Sequence, residues 1–291
     1  MATDDDGGPG PVLVGIDDLA HSWPAADWAA AEAETRGCAV RVVHAVGPSA
    51  DTAYGETGVG LTDQVLRAAF GVLDDVRARV AAARPGLPID TVLAREDPGD
   101  ALLGAAQDAD LVVVGTRGRG GFAELLLGSV SRRVAAHAGL PVVVVRGETG
   151  SGAREGIVVG VRDDRDEEAV RFALAEAELR GTRVRLLHAW TPLADRGPVV
   201  SGFDDAEAER EAHVQLLNHA ARPVAEHPEV HVETEVTVGS AAAALVEASA
   251  RADLLVLPRH PVESRLGLRL GTVVHAVLHH ASCPVAVVPV G

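Results

Sequence analysis

An internal repeat that covers almost the whole chain is the feature that most constrains its fold. Four segments of the first half return in the second half with a closely similar order of apolar, glycine, histidine and aspartate positions. These matched segments are 12–17 and 157–162, 41–45 and 185–189, 110–115 and 253–258, and 140–145 and 283–288. The spacing falls only from 145 at Gly15 and Gly160 to 143 at Asp110 and Asp253, which corresponds to single-residue changes in loops. The repeat therefore predicts two copies of one domain.

Composition predicts where the two copies join. The segment 147–153 is rich in glycine and serine, which is typical of a linker. We expect a first domain over 11–147 and a second over 154–291, each of about 140 residues and long enough to bury its own core. Residues 1–10 are acidic and glycine-rich, and they are expected to form a disordered tail that lacks the features of a signal peptide.

Short apolar runs alternate with helical stretches in each half. In the first half, strands are expected at 12–16, 40–46, 89–94, 111–115 and 142–146, with helices at 24–36, 61–83, 98–107 and 128–138. The strands are apolar throughout, as expected when both faces of a sheet are covered. The alternation predicts an α/β fold of two tandem doubly wound, mostly parallel five-stranded sheets with helices on both faces. Ligands of such sheets bind beyond the carboxyl ends of the strands, near the switch point.

Charge and cysteine content exclude several classes of protein. The net charge of −16 disfavours nucleic acid and anionic membrane surfaces as partners, because both are bound through clustered lysine and arginine. No apolar run approaches the roughly 18 residues of a transmembrane helix. Cys38 and Cys283 lie far apart and outside any C-x-x-C pair, which predicts reduced thiols in a cytoplasmic protein.

A glycine-rich loop after the fourth strand is the strongest functional signal. Gly115 and Gly118 permit tight turns and close backbone approach to a ligand. Gly128 and Ser129 begin the next helix, where free N–H groups and the helix dipole favour phosphate. Ser129 and Ser131 add hydroxyl donors. The segment is also locally basic, through Arg117, Arg119, Arg132 and Arg133.

Two other nucleotide-binding motifs do not fit this loop. The spacing Gly118-x-Gly120-x-x-Ala123 is similar to a dinucleotide fingerprint, but that motif belongs on the turn after the first strand. No P-loop sequence is present. The alternative that remains open is a flexible glycine loop followed by a serine that caps the helix.

The loop pattern Gly115-x2-Gly118-x9-Gly128-Ser129 resembles the ATP loop of the universal stress protein family. The resemblance extends over both copies, and the Ala- and Arg-rich tandem form resembles members from actinobacteria. It implies an adenine nucleotide α-hydrolase-like fold that binds ATP, optionally with Mg²⁺, although the sequence shows no dedicated metal ligands. The implied binding residues are Ile16, Asp17, Ala45, Val114, Gly115, Arg117, Gly118, Gly128, Ser129, Val130 and Ser131.

The resemblance also implies a role for each part of this set. Asp17 and the backbone at Ala45 would face the ribose and adenine, and Val114 and Gly115 would lie along the ribose. The loop glycines and the helix start would hold the phosphates. For Asp17 a simple turn or helix-entry carboxylate remains an alternative.

The second copy departs from this pattern. Pro258 and Pro261 stand where the first copy has Gly115 and Gly118. Arg162 stands where the first copy has Asp17. Proline has no N–H to offer a phosphate. Gly271 and Thr272 survive at the helix start, which helix capping alone explains. We therefore expect a second domain without nucleotide that serves structure, dimerisation or regulation.

Further candidates favour structural roles. His275 and His279 have metal-ligand spacing on a helix but no acidic partner, so no metal site is assigned. His44 and His188 follow equivalent strands, which favours a shared packing or turn role over catalysis. The segment 47–60 is interpreted as a mobile loop, either a lid or a plain linker.

The leading functional hypothesis is an ATP-binding stress or signalling regulator without dedicated catalytic machinery. A weak ATP hydrolase or nucleotidyl transferase and a nucleotide-free scaffold are the alternatives. The last strand of each half, 142–145 and 285–288, is expected to pair with its counterpart as an intramolecular pseudo-dimer, and a homodimer is a further expectation. The protein partner is unknown.

Overall fold

The computed structural model describes residues 8–18, 22–47, 63–116, 127–146, 155–192, 203–261 and 270–291. The chain divides into two compact units between Glu148 and Thr149. The predicted linker at 147–153 and residues 1–7 of the predicted tail lie outside the described ranges. No helix in these ranges is both long enough and apolar enough to cross a membrane.

The first domain alternates strands and helices as the sequence predicts. Its strands are β1 (Val12–Ile16), β2 (Val40–Ala45), β3 (Ile89–Ala94), β4 (Leu111–Gly115) and β5 (Val142–Val145). Its helices are α1 (Trp23–Arg36), α2 (Asp63–Ala83), α3 (Pro98–Ala105) and α4 (Ser129–His137), and a 3₁₀ turn (Ala106–Asp108) follows α3. The predicted bounds differ by one or two residues at several ends, where capping and fraying set the limit.

The second domain repeats this order. Its strands are β6 (Ile157–Gly160), β7 (Val184–Trp190), β8 (Val232–Val238), β9 (Leu254–Arg259) and β10 (Val285–Pro289). Its helices are α5 (Glu167–Arg180), α6 (Phe203–Ala220), α7 (Ala241–Ser249) and α8 (Thr272–His280). It also contains 3₁₀ turns at Asp164–Asp166 and Arg222–Glu226.

Each domain has a five-stranded parallel sheet. The strand order is β3-β2-β1-β4-β5 in the first domain and β10-β9-β6-β7-β8 in the second. The central strands are buried on both faces: β4 and β5 expose almost no side-chain surface, and the same holds for β9 and β10. The prediction of a doubly wound α/β sheet in each half is therefore confirmed.

A glycine in the first strand of each domain allows close packing of a helix. A Cβ at Gly15 would lie 2.7 Å from Leu102 Cδ1 on α3, and one at Gly160 would lie 2.9 Å from Leu245 Cδ2 on α7. Since real Cβ atoms do not come this close, both positions require glycine or a shift of the leucine. The two domains thus share this contact as well as their topology.

Candidate functional site

The carboxyl ends of three neighbouring strands form the candidate site in the first domain. β1 lies between β2 and β4, with Ile16 in register with His44 and Val14 in register with Val113. Since all pairings within this sheet are parallel, the residues that follow these strands emerge at one edge. The strand order reverses direction at β1 and β4, which is where such sheets bind ligands.

Helix α4 begins at this edge and is fixed to the end of β4. The Gly128 N–H donates to the Thr116 carbonyl at 2.7 Å, and the Ser131 hydroxyl donates to the Gly115 carbonyl at 2.5 Å. Gly128 is the N-cap, with φ −67° and ψ 156°, and it has no side chain to cap the first N–H groups of the helix. The helix start therefore presents backbone donors and the positive dipole end beside β1.

The predicted residues of this site differ in exposure. Ile16, Val114 and Ser131 are buried, whereas Ser129 is exposed. The half-buried members are Asp17, Ala45, Gly115, Gly128 and Val130. Arg117 and Gly118 lie outside the described residues, as does all but the first residue of the predicted loop at 47–60. Strand pairing and the contacts of α4 thus bring the described members to the carboxyl edge of the sheet, and their roles toward a ligand stay predictions.

Two predicted donors have other partners in the structure. The sequence predicts the Ser131 hydroxyl as a donor to phosphate, but in the structure this hydroxyl donates to the Gly115 carbonyl. Arg133 pairs with Asp97 at 3.0 Å and with Asp100, both at the start of α3. These acids reduce the local positive charge that the arginine-rich sequence indicates. The ion pairs form because α3 packs against α4, which the sequence does not specify.

His44 and His188 share a packing role, one of the two roles that the sequence favours, but they lie inside β2 and β7 and not after them. Each ring is buried, and each Nδ1 lies within hydrogen-bond distance of a carbonyl at the end of the first strand of its domain: Ile16 at 3.1 Å and Val161 at 2.9 Å. Because a carbonyl only accepts, the Nδ1 atoms carry the protons. In the second domain the network is larger, since His188 Nε2 lies 2.8 Å from His213 Nδ1 and Trp190 stacks on His213.

The second domain keeps the helix start but not its tie to the strand. Gly271 is the N-cap of α8 with φ −61° and ψ 158°, nearly the values of Gly128. The position equivalent to Ser131 is Val274, which is buried and has no hydroxyl. Pro258 lies within β9, in register with Val288. Because it is a proline, it offers no backbone N–H at this position.

An acidic turn occupies the end of the first strand in the second domain. Asp166 is fully buried, and its Oδ2 accepts the N–H groups of Arg162 at 2.5 Å and Asp163 at 3.1 Å. Burial raises the pKa of Asp166, and the two backbone hydrogen bonds oppose that rise. Burial also acts to raise the pKa of Asp163, but hydrogen bonds from Arg165 outweigh it and the pKa is lowered.

His260 brings a third polar side chain to this turn. Its Nε2 lies 2.7 Å from Oδ1 of Asp166. Asp163, Asp166 and His260 form a group whose potential ligand atoms lie within 4.8 Å of one another, and no other such group of three occurs among the described residues. The sequence alone does not predict this group because His260 is distant in the chain from Asp163 and Asp166. The two aspartates lie in the turn after β6, and His260 directly follows the neighbouring strand β9.

Comparisons with known proteins agree with the tandem fold. A family model described as the universal stress protein family matches residues 10–146 and again 154–289. A universal stress protein of Mycobacterium tuberculosis H37Rv is 32% identical over 287 residues, which cover 95% of this chain and 96% of the relative. A crystal structure of a universal stress protein from Archaeoglobus fulgidus covers 98% of this chain and 97% of its own at 17% identity, with a TM-score of 0.70.

A universal stress protein whose structure was solved in complex with cAMP matches 48% of this chain and all of its own length. Its sequence identity is 26% and its TM-score 0.36. On the two matches of the family model and the near-complete coverage of its relatives, this chain belongs to the universal stress protein family, with two family domains in tandem.

Proposed function

We propose that the first domain binds ATP at the carboxyl edge of its sheet and that nucleotide occupancy regulates a protein partner. The observation that carries the proposal is the fixed start of α4. Gly128 and Ser131 hold it against the end of β4, and no side chain caps its first N–H groups, which are the donors that a phosphate needs. The triphosphate lies at this helix start, and Ser129 adds an exposed hydroxyl.

The remaining residues of the edge suit a nucleoside. Asp17 directly follows β1 at this edge, and its carboxylate is assigned to a ribose hydroxyl. Ala45 is the last residue of the neighbouring strand β2 and has only a methyl group, which leaves room for a flat base. Mg²⁺ accompanies the phosphates and takes its other ligands from water, since the described part of this domain contains no cluster of three metal-ligating side chains.

The second domain stays free of nucleotide in this proposal. Its prolines remove backbone donors, and the carboxylates of Asp163 and Asp166 repel phosphate at the corresponding edge. The regulatory role rests on the resemblance and on the lack of an assigned general base among the predicted site residues. Cys38 and Cys283, both within the described residues, are buried and form no disulfide bond, which supports a cytoplasmic setting.

Isothermal titration of the purified chain with ATP, with and without Mg²⁺, tests the proposal. We expect one equivalent of ATP per chain. Ser129→Glu places a carboxylate at the first position of α4, where it suits the helix dipole but repels phosphate, so the variant should fold and lose ATP affinity. Thr272→Glu makes the same change at the exposed, equivalent position of α8 and should leave binding unchanged.

Two results contradict the proposal. One is a folded chain that binds no ATP at millimolar concentration. The other is loss of binding in Thr272→Glu rather than in Ser129→Glu, which assigns the nucleotide to the second domain. A separate incubation with labelled ATP measures turnover, and release of product well above the protein-free rate would establish an enzyme instead of a regulator.

A further inference from the structure

The polar cluster of the second domain lies at the carboxyl edge of its sheet. Asp163 and Asp166 follow β6, and His260 follows β9, the neighbouring strand. Each offers one ligand atom, and these atoms lie within 4.8 Å of one another. The cluster therefore occupies the edge that corresponds to the nucleotide site proposed for the first domain, but with acidic and imidazole side chains instead of a glycine loop.

Two members of the cluster are buried with unsatisfied polar atoms. Asp166 is 0% and the His260 side chain 8% exposed. Asp166 Oδ1 and His260 Nε2 are 2.7 Å apart, yet neither makes a hydrogen bond of acceptable geometry within the described part of the chain, nor does Nδ1 of His260. Buried polar groups without partners destabilise a fold, so this arrangement requires an explanation.

A cation explains the arrangement better than a direct pair. In a hydrogen bond the donor points along the line to the acceptor, and here it does not. Ligand atoms of a metal ion instead come close together while their lone pairs point to a shared third position. The contact between Asp166 and His260 has this character: a short distance with poor alignment.

Asp166 is oriented by the backbone in the way that metal ligands commonly are. Its Oδ2 accepts two N–H groups, from Arg162 and Asp163, which fixes the carboxylate plane. Its Oδ1 is then directed toward His260. Such outer hydrogen bonds hold first ligands in place and preserve their charge.

Asp163 supplies the second carboxylate. Its Oδ1 accepts the Arg165 N–H at 3.0 Å, and its Oδ2 lies 2.9 Å from the Arg165 guanidinium and 3.3 Å from that of Arg162. Both arginine side chains are about 60% exposed, at 60% and 62%. Exposed ion pairs contribute little free energy, so these guanidinium groups can turn to solvent when a divalent cation competes for Asp163.

We propose that Asp163, Asp166 and His260 bind a divalent transition-metal ion of the Zn²⁺ class. One imidazole and two carboxylates suit such an ion better than Ca²⁺ or Mg²⁺, which prefer oxygen ligands alone. Three protein ligands leave further positions to water. This site goes beyond the nucleotide function and does not depend on it.

Titration of the full chain with Zn²⁺ after chelator treatment, without nucleotide, tests the proposal. We expect one tight equivalent in the wild type. His260→Gln and Asp166→Asn should each weaken that equivalent by at least about tenfold, the lower limit seen when even outer-shell partners of a metal are removed. The double variant His275→Gln, His279→Gln is the matched control, since it removes a pair of closely spaced histidines on α8 and should leave the tight equivalent intact.

Thermal unfolding provides a second readout that does not depend on stoichiometry. Asp166→Asn keeps an oxygen for the Arg162 and Asp163 N–H groups, so this variant should fold. Zn²⁺ should raise the unfolding midpoint of the wild type and of the control, but not of the two ligand variants. The proposal is overturned if the wild type shows no zinc-dependent shift, which would leave a buried ion pair, or if only the control loses the tight equivalent.

Discussion

The two domains share their scaffold but differ at the edge where a ligand would bind. Both have the same strand order, the same glycine against a leucine, and the same buried histidine within the second strand. At the carboxyl edge one has a helix start tied to a strand by Ser131, and the other has an acidic turn facing His260. Strands and packing preserve the fold, while residues just beyond the strands are free to change the chemistry.

The largest expected effect comes from exchanging the loop residues of the two domains. Gly118→Pro removes an N–H and fixes φ, and we expect it to weaken ATP binding by about 3 kcal/mol, roughly 100-fold, the upper range for a hydrogen bond to a charged group. Pro261→Gly should not create a second site, because the acidic turn remains. Titration with ATP checks both variants. A second ATP equivalent in Pro261→Gly would show that the proline alone prevents the second domain from binding ATP.

Filling the glycine of the first strand should destabilise both domains alike. Gly15→Ala should displace Leu102, and Gly160→Ala should displace Leu245 and Leu257, each at a cost of about 1–3 kcal/mol in unfolding free energy. Urea denaturation of each variant measures this cost. Combining Gly15→Ala with Leu102→Ala should cost less than the sum of the single changes, since the space is then shared. Additive values would contradict the contact.

The hydrogen bond of Ser131 should matter in the first domain only. Ser131→Ala leaves the Gly115 carbonyl without this donor, and we expect a loss of about 1 kcal/mol, with faster amide exchange at the start of α4. Val274→Ser, the reciprocal change, should not stabilise the second domain. Hydrogen exchange followed by mass spectrometry distinguishes the two. If the amides of α4 exchange no faster in Ser131→Ala than in the wild type, the hydrogen bond from Ser131 to Gly115 does not hold the helix in place.

The smallest effect is expected at Arg133. Its pairs with Asp97 and Asp100 are exposed, so Arg133→Ala should change the unfolding free energy by less than about 1 kcal/mol, and less still at high salt. Because these acids already neutralise the guanidinium, ATP affinity should fall by only a small factor. A large loss of affinity would instead assign Arg133 to the phosphate site.

The sequence predicts what repeats locally and fails where distant segments meet. Strands such as β4 and β9 are nearly continuous apolar runs, so local pattern predicts the alternation of strands and helices. The internal repeat likewise predicts the two domains and the equivalent histidines His44 and His188. The hydroxyl of Ser131 and the charge of Arg133 depend on their packing neighbours, which no local pattern specifies. Asp166 and His260 are separated by three strands in the chain, and only the strand order brings them together.

The contact between Gly15 and Leu102 has a consequence for how such a duplicated chain can diverge. Enlarging the glycine is costly while the leucine is present, and shortening the leucine leaves a cavity while the glycine is present. Each single change therefore lowers stability, and the second change recovers part of that loss, so the two positions are expected to change together. The same coupling applies to Gly160, where a Cβ would meet both Leu245 and Leu257.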